Sequence, residues 1–286
     1  MQTGITCIVA KRPKTPDHKF LVVGVGASAG GVQALSIFFA NVPRDSGIAY
    51  VVILHLSPDH DSHLASVLQG VASIPITQVT QKTRIEPNHV YVVPPDKHLI
   101  IEDGHVVIKP QKTTQERRAP VDIFFRALAT AHGSDSVGVI LSGTGANGSM
   151  GIKRLKEMGG AVFVQNPREA EFNEMPRNSI ATDLVDAILP VSQIPEAIIG
   201  YRDRRGAISI EPASIAEPAT EERAALRDIF TQLRVRTGHD FSNYKVPTIF
   251  RRIERRMSVR GLPTSSPMRR FSTTIPTSRT RCSRTC

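Results

Sequence analysis

FLVVGVGASAGGVQALSIFFANV, residues 20–42, decides the fold of this 286-residue chain. Its first part, LVVGV, is a short apolar run rich in β-branched residues and reads as a buried strand. Its last part, GGVQALSIFFANV, carries apolar residues at helical spacing and reads as the next helix. Between them lie only small residues and one hydroxyl, Ser28. A serine on a strand-to-helix turn is held exposed near the positive end of the helix dipole. Glycines beside it let another segment of chain approach closely. An α/β protein uses such a turn either as a phosphate cradle or as the seat of a nucleophile.

The same alternation continues on the C-terminal side. AYVVILHL (49–56) reads as a second strand and SHLASVLQGVA (62–72) as a helix. ITQVT and HVYVVP follow as strands. LIIEDGHVVIKP (99–110) reads as a hairpin, because Asp103-Gly104 between two apolar runs is a favoured two-residue turn. VDIFFRALATAHG is a helix, SVGVILSG a buried strand, and GSMGIKRLKEMGG a helix closed by glycine. AVFVQN, a short helix from Met175 to Thr182, VDAILP and QIPEAIIGYRDR complete the pattern. Repeated strand–helix alternation predicts a doubly wound, mostly parallel α/β sheet with helices on both faces. The hairpin is an antiparallel addition, and a small all-α segment follows.

Composition narrows the class. The chain is 40% apolar, and no stretch approaches the roughly 20 apolar residues of a membrane span. The N-terminus lacks the order of a signal peptide. Cys7, Cys282 and Cys286 have neither metal-ligand spacing nor the makings of a disulfide framework, so a cytoplasmic protein without metal or other cofactor is expected. From Ala219 to Cys286 there are 15 basic and 5 acidic residues, which account for the whole net charge of +10. The basic character therefore belongs to the C-terminal part and favours acidic partners. No aromatic platform or zinc spacing specifies nucleic acid. The expected organisation is a loose extension over 1–18, an α/β domain over 19–204, a linker of small residues and proline over 205–220, helices over 221–260, and a disordered Ser/Thr/Arg-rich basic tail over 261–286.

Gly24-Val25-Gly26-Ala27-Ser28-Ala29 fits the dinucleotide pattern G-x-G-x-x-G/A. That reading also needs an acid at the end of the second strand to hold the ribose hydroxyls. The second strand ends in His55 instead, and Asp59 is the nearest acid. Adjacent parallel strands bring their carboxyl ends to one edge, so Ser28 and His55 can meet there as nucleophile and base. His60 and His63, on the following helix, rank below His55. A third turn, Leu141-Ser-Gly-Thr-Gly-Ala-Asn-Gly148, places Thr144, Asn147 and several backbone N–H groups at the same edge. It can orient the histidine or supply oxyanion donors, or Asn147 can serve as the cap of the following helix. Tight packing of strand on helix without chemistry is the remaining alternative.

Taken together, these segments resemble the catalytic domain of the bacterial chemotaxis protein-glutamate methylesterases over about residues 19–200. The resemblance rests on Gly26-Ala-Ser-Ala-Gly-Gly31, on His55, on Val90-Tyr-Val-Val-Pro94 through His98, on Ala119-Pro-Val-Asp122 to Phe125, on Leu141 to Gly148, and on Gln165-Asn166 with Met175-Pro176. It implies Ser28 as nucleophile and His55 as general base. Ala29, Gly30, Thr144 and Gly145 would lie around the oxyanion and substrate. The implied substrate is a glutamyl methyl ester on the cytoplasmic helices of a methyl-accepting chemoreceptor, with glutamine deamidation as a related activity. One position departs from the family: its orienting aspartate falls at Asn147. An amide offers no charge and can favour the wrong histidine tautomer, so the expectation is a weakened esterase. The alternative is a receptor-binding adaptor.

Residues 222–260 resemble the N-terminal helical region of chemotaxis receptor methyltransferases, through Leu226 to Phe230, Thr237 to Ser242, Tyr244-Lys245 and Arg251 to Met257. By that resemblance Arg251, Arg252, Arg255 and Arg256 would dock on acidic receptor helices, and a separate methyltransferase is a further candidate partner. The resemblance stops near Gly261, where the composition shifts as in a truncated or frame-shifted reading frame, and no methylation by this chain is expected. The first 18 residues are too few for a receiver domain, so control through a receiver on the same chain is not expected either.

Overall fold

The structure is a computed structural model that describes residues 20–54, 63–94, 97–111, 113 and 119–207. The extension over 1–18, most of the linker, the helices over 221–260 and the tail lie outside the described residues, as do His55 and His60. The chain divides into two compact units, 1–199 and 200–286. Of the second, the described part is the end of one helix.

Ten strands and six α-helices, with two short 3-10 turns, make up the regular structure of the described part. The strands are β1 (Val22–Ala27), β2 (Ala49–Leu54), β3 (Ile76–Gln78), β4 (Thr83–Arg84), β5 (His89–Val92), β6 (Lys97–Glu102), β7 (His105–Pro110), β8 (Ser136–Ile140), β9 (Ala161–Gln165) and β10 (Ala187–Leu189). The helices are α1 (Gly31–Ala40), α2 (Leu64–Gln69), α3 (Pro120–His132), α4 (Ser149–Glu157), α5 (Glu174–Ile180) and α6 (Ile194–Ala207). Seven strands form the main sheet in the order β10-β9-β8-β1-β2-β5-β3. Every pairing in it is parallel. The fold is the doubly wound α/β arrangement read from the sequence.

Burial on both faces explains the strand compositions. β1 and β8 are buried throughout, and the first five residues of β2 are as well, so they read as continuous apolar runs rather than alternating ones. Along β2, Ala49, Val51 and Ile53 join the core that holds Val121, Phe124, Phe125 and Leu128 of α3. Tyr50 points the other way, to the rings of Phe38 and Phe39 of α1, with centroids 6.0 and 5.7 Å away. The α1 residues Gly31, Ala34, Leu35, Phe38 and Phe39 form its buried stripe, at the spacing of one helical face.

The hairpin is present, with Asp103 at φ +47° and Gly104 at φ +74° between β6 and β7, as a primed two-residue turn requires. The structure adds what the sequence reading lacked. β4 pairs antiparallel with β7, so a separate three-stranded sheet in the order β4-β7-β6 stands beside the main one. A two-residue strand has too few side chains to show a period, which is why Thr83-Arg84 carried no signal.

Gly24 and Gly26 have a packing role. A Cβ at Gly24 would come within 2.9 Å of Phe124 Cε1, and one at Gly26 would overlap the methyls of Val121. These glycines let α3 pack directly on β1, so close helix–strand packing accounts for both. No described helix is long and apolar enough to cross a membrane.

Candidate active site

Strand order locates the site. The chain runs from β1 outward through β2 to the β5 and β3 edge, then returns to β8 on the other side of β1 and continues to β9 and β10. The winding reverses between β1 and β8, and ligands of open α/β sheets bind in the crevice outside the carboxyl ends at such a reversal. The two turns singled out from the sequence, Ser28–Gly30 after β1 and Ser142–Gly148 after β8, flank that crevice.

They are joined to each other. The ladder between β1 and β8 ends with Leu141 N–H donating to Gly26 O at 2.9 Å and Ser28 N–H donating to Ser142 O at 3.0 Å. Gly31 N–H closes the Ser28 turn on Ser28 O at 2.8 Å. Ser28 is half-buried at the lip. Opposite it, a Cβ at Gly143 would come within 3.0 Å of Ser28 Cβ and would overlap the sulfur of Met175. Gly143 is what allows the two turns to touch.

A third segment, Gln165 to Asn178, grips the second turn. Gly143 N–H donates to Phe172 O and Met175 N–H to Gly143 O, both at 2.9 Å. Gly145 N–H donates to Glu174 Oε2 at 2.7 Å, and Asn178 Nδ2 donates to Gly145 O at 2.7 Å. Gln165 Oε1 accepts the N–H of Ser142 at 2.8 Å.

The four residues expected around an oxyanion differ in what their N–H groups already bond. The N–H of Gly145 is already committed to Glu174. Among the described residues no acceptor is paired with the N–H groups of Ala29, Gly30 and Thr144. Those three are the donors free to meet a developing negative charge.

Asn147 does not cap α4, contrary to the capping alternative. Gly148, at φ +98°, is the N-cap residue and has no side chain with which to cap. Asp122 serves that helix end instead, its Oδ1 accepting Gly151 N–H at 2.6 Å. The backbone N–H of Asp122 in turn donates to Asn147 Oδ1 at 3.2 Å. Because an N–H can only face an acceptor, this bond decides which end of the Asn147 amide is oxygen. The Nδ2 end is buried and has no hydrogen-bond partner among the described residues.

His55 follows Leu54 directly, and Leu54 pairs with Ala27, the residue before Ser28. His55 itself lies outside the described residues, and so do Arg251, Arg252, Arg255 and Arg256. Five residues that organise the site were not singled out for it by the sequence: Asp122, Ser142, Gln165, Glu174 and Asn178. Asp122, Ser142 and Gln165 stood inside quoted motifs, but their roles depend on bonds between segments 23 to 29 residues apart or more. Among the described residues no group of three or more His, Cys, Asp or Glu could hold a metal ion.

A doubly wound α/β domain with a serine at the crevice, and nearby backbone donors that have no acceptor among the described residues, is built like a hydrolase. Residues 23–198 match the model of the CheB methylesterase family, and the chain belongs to that family, a family of carboxyl ester hydrolases. Residues 224–268 match the all-alpha domain of CheR methyltransferases. A protein of Leptospira interrogans, provisionally named protein-glutamate methylesterase/protein-glutamine glutaminase, is 32% identical over 184 residues, covering 64% of this chain and 94% of that protein. A protein-glutamate methylesterase/protein-glutamine glutaminase of Hydrogenovibrio crunogenus is also 32% identical, over 188 residues, but the chain spans about half of its length, 49%. The crystal structure of the Thermotoga maritima CheB methylesterase catalytic domain superposes with a TM-score of 0.59 at 27% identity, covering 63% of this chain and 97% of that one.

Proposed function

We propose that this chain hydrolyses glutamyl methyl esters on the cytoplasmic helices of a chemoreceptor, with deamidation of glutamine as a second activity, and that it acts in the cytoplasm. The observation that carries the reading is the join between the Ser28 turn and the Ser142–Gly148 turn at the reversal of the sheet. It brings the Ser28 turn against a turn whose Thr144 N–H, like those of Ala29 and Gly30, has no acceptor among the described residues. The relatives named for both activities support the substrate class.

In this reading Ser28 Oγ attacks the ester carbonyl carbon while His55 takes its proton. The carbonyl oxygen becomes an oxyanion held by the N–H groups of Ala29, Gly30 and Thr144. Collapse of the tetrahedral intermediate breaks the bond to methoxide, which leaves as methanol with the proton from His55. Water, deprotonated by His55, then attacks the acyl-serine; the bond to Ser28 Oγ breaks, His55 returns the proton to that oxygen, and the glutamate carboxylate is released. A glutamine side chain follows the same course with ammonia as leaving group.

The register of β1 with β2 supports the pairing of Ser28 with His55. Leu54 is opposite Ala27, and the Cα of His55 is about 3.8 Å further along the chain. Asn147 weakens the site, because the amide end left without a partner is a donor and a histidine acting on Ser28 needs an acceptor behind it. The domain organisation we propose is a catalytic domain over 19–204, a linker, and a helical fragment over 221–260. Arg251, Arg252, Arg255 and Arg256 of that fragment meet the acidic receptor surface.

The test is methanol release from methylated receptor by wild type and Ser28→Ala. Wild type is expected to release methanol and Ser28→Ala to fall to background. Equal release by the two, or none from wild type, refutes the assignment.

A further inference from the structure

Ser142 is 1% exposed and polar, yet it sits in none of the steps above. Its N–H, C=O and hydroxyl make four hydrogen bonds to two segments, the Ser28 turn and Gln165 to Asn178. Its N–H donates to Gln165 Oε1 at 2.8 Å, and its C=O accepts Ser28 N–H at 3.0 Å. Its Oγ accepts Phe172 N–H at 3.0 Å and donates to Ala29 O at 2.9 Å. Phe172 O lies further off, at 3.4 Å, so the single hydroxyl proton goes to Ala29. The residue therefore holds the Ser28 turn at two points, one through its backbone and one through its side chain.

The second point has a geometric consequence. The described chain contains no cis peptide bond, and in a trans peptide the C=O and N–H of one plane point in opposite directions. Ser142 Oγ draws the Ala29 carbonyl inward, so the N–H of Gly30, in the same peptide plane, is turned outward. That N–H is one of the three left without a partner among the described residues. Gly30 stands at φ +69°, a conformation that glycine adopts without steric cost. A Cβ at Gly30 would lie 2.7 Å from Ser142 Oγ, so hydroxyl and backbone are packed without space between them.

We propose that Ser142 is a positioning residue for ester hydrolysis: its hydroxyl fixes the Ala29–Gly30 peptide so that Gly30 N–H faces the oxygen on which negative charge develops. The proposal rests on the esterase reading of Ser28. The Ala29 N–H is set differently, by the bond from Gly31 N–H to Ser28 O at 2.8 Å, which orients the peptide before it. The two donors are thus aimed by independent devices, and removing the hydroxyl misaligns one and spares the other.

The experiment uses the full chain as wild type, Ser142→Ala and Ser142→Thr. It reads steady-state methanol release and phosphonylation of Ser28 by a fluorophosphonate. In the second reaction Ser28 Oγ bonds to phosphorus, fluoride leaves, the proton passes to the base, and the phosphoryl oxygen occupies the oxyanion position. Loss of one whole donor costs about 10²–10³ in kcat in a related kind of site, and loss of alignment is expected to cost roughly 10- to 100-fold. Ser142→Ala should lower kcat and the phosphonylation rate by that factor, with KM unchanged within about twofold. Its end-point should still be one label per chain, and Ser142→Thr, which keeps the hydroxyl, should recover most of the rate. A purely structural role gives the opposite split, a lower end-point with an unchanged rate in the molecules that label, and overturns the proposal. Wild-type rates in Ser142→Ala overturn it as well. If wild type neither labels nor releases methanol, the esterase reading has failed and the proposal falls with it; labelling of wild type without methanol release faults the substrate alone and leaves the labelling rates to decide on Ser142.

Discussion

Asn147→Asp is expected to speed methanol release on the order of 10²-fold, with a ceiling of about 10⁴ taken from the reverse change in a serine protease triad. The magnitude follows from what the amide does now. The N–H of Asp122 fixes Asn147 Oδ1 and leaves the buried Nδ2 without a partner among the described residues, and in the proposed site that donor meets His55. A donor behind the histidine favours the tautomer whose other nitrogen carries a proton toward Ser28, which cannot accept one. A carboxylate keeps the bond to Asp122 N–H through one oxygen and offers an acceptor through the other. A hydrogen bond to a charged group contributes about 1.5–3 kcal/mol, which is roughly 10- to 150-fold in rate. The full 10⁴ is not expected, because Asp122 is buried beside this position and a second carboxylate there is disfavoured by like charge. The assay is initial-rate methanol release from methylated receptor over a range of pH. The imidazolium is stabilised by the new charge, so the acid limb of the profile should move to higher pH. Asn147 precedes Gly148, and asparagine followed by glycine deamidates readily, so intact mass must accompany each rate. With a 10²-fold gain, about 1% of the converted form would equal the whole wild-type signal. A rate in Asn147→Asp equal to or below that of unconverted wild type refutes the tautomer argument.

Two further outcomes follow from the fold. Lys156 Nζ lies 2.7 and 2.6 Å from the two oxygens of Asp186, whose side chain is 1% exposed against 19% for Lys156, and Asp186 also accepts Val162 N–H. Asp186→Ala should cost about 3 kcal/mol, the low end for a broken buried pair since Lys156 can still reach water. That corresponds to a melting temperature lowered by roughly 6–12 °C, read by thermal denaturation, and a shift under about 2 °C would contradict it. His89 is stacked on Tyr91 and bonded to Thr77, and burial lowers its pKa below the ordinary 6.5, partly opposed by Glu86. The folded protein gives up this proton more readily than the unfolded chain, so its contribution to stability is full above about 6.5 and is lost as pH falls through that value. Denaturation from pH 8 to 5 should show a steeper acid-side loss in wild type than in His89→Gln, and parallel curves would contradict the assignment.

The sheet was legible because burial on both faces writes itself as unbroken apolar runs, as in β1, β2 and β8. The hairpin was legible because Asp103-Gly104 is a turn whose chemistry is local. β4 was not, because two residues have no period and its partner β7 is some twenty positions away. The same distinction divides the site. Ser28 and the Ser142–Gly148 turn stood out because small residues at a strand end are a local signal. Glu174, Asn178 and Asp122 did not, because each acts by reaching a backbone group in a different segment.

In the proposed site, the effect of Asn147 cannot be weighed by residue type alone. From the sequence, an amide in place of a carboxylate has two orientations, one presenting an acceptor to the histidine and one a donor. Only the first would preserve the polarity that a general base needs. The choice is made by the backbone of Asp122, at the first turn of α3, whose N–H admits no orientation but oxygen inward. The loss of function expected at this position therefore comes from two causes together, the missing charge and the fixed amide. They are separable. A substitution that removes the amide without adding charge, Asn147→Ala, withdraws the opposing donor and should leave the rate equal to wild type or slightly higher. If the missing charge were the only cause and the amide still helped through its oxygen, Asn147→Ala would be slower than wild type.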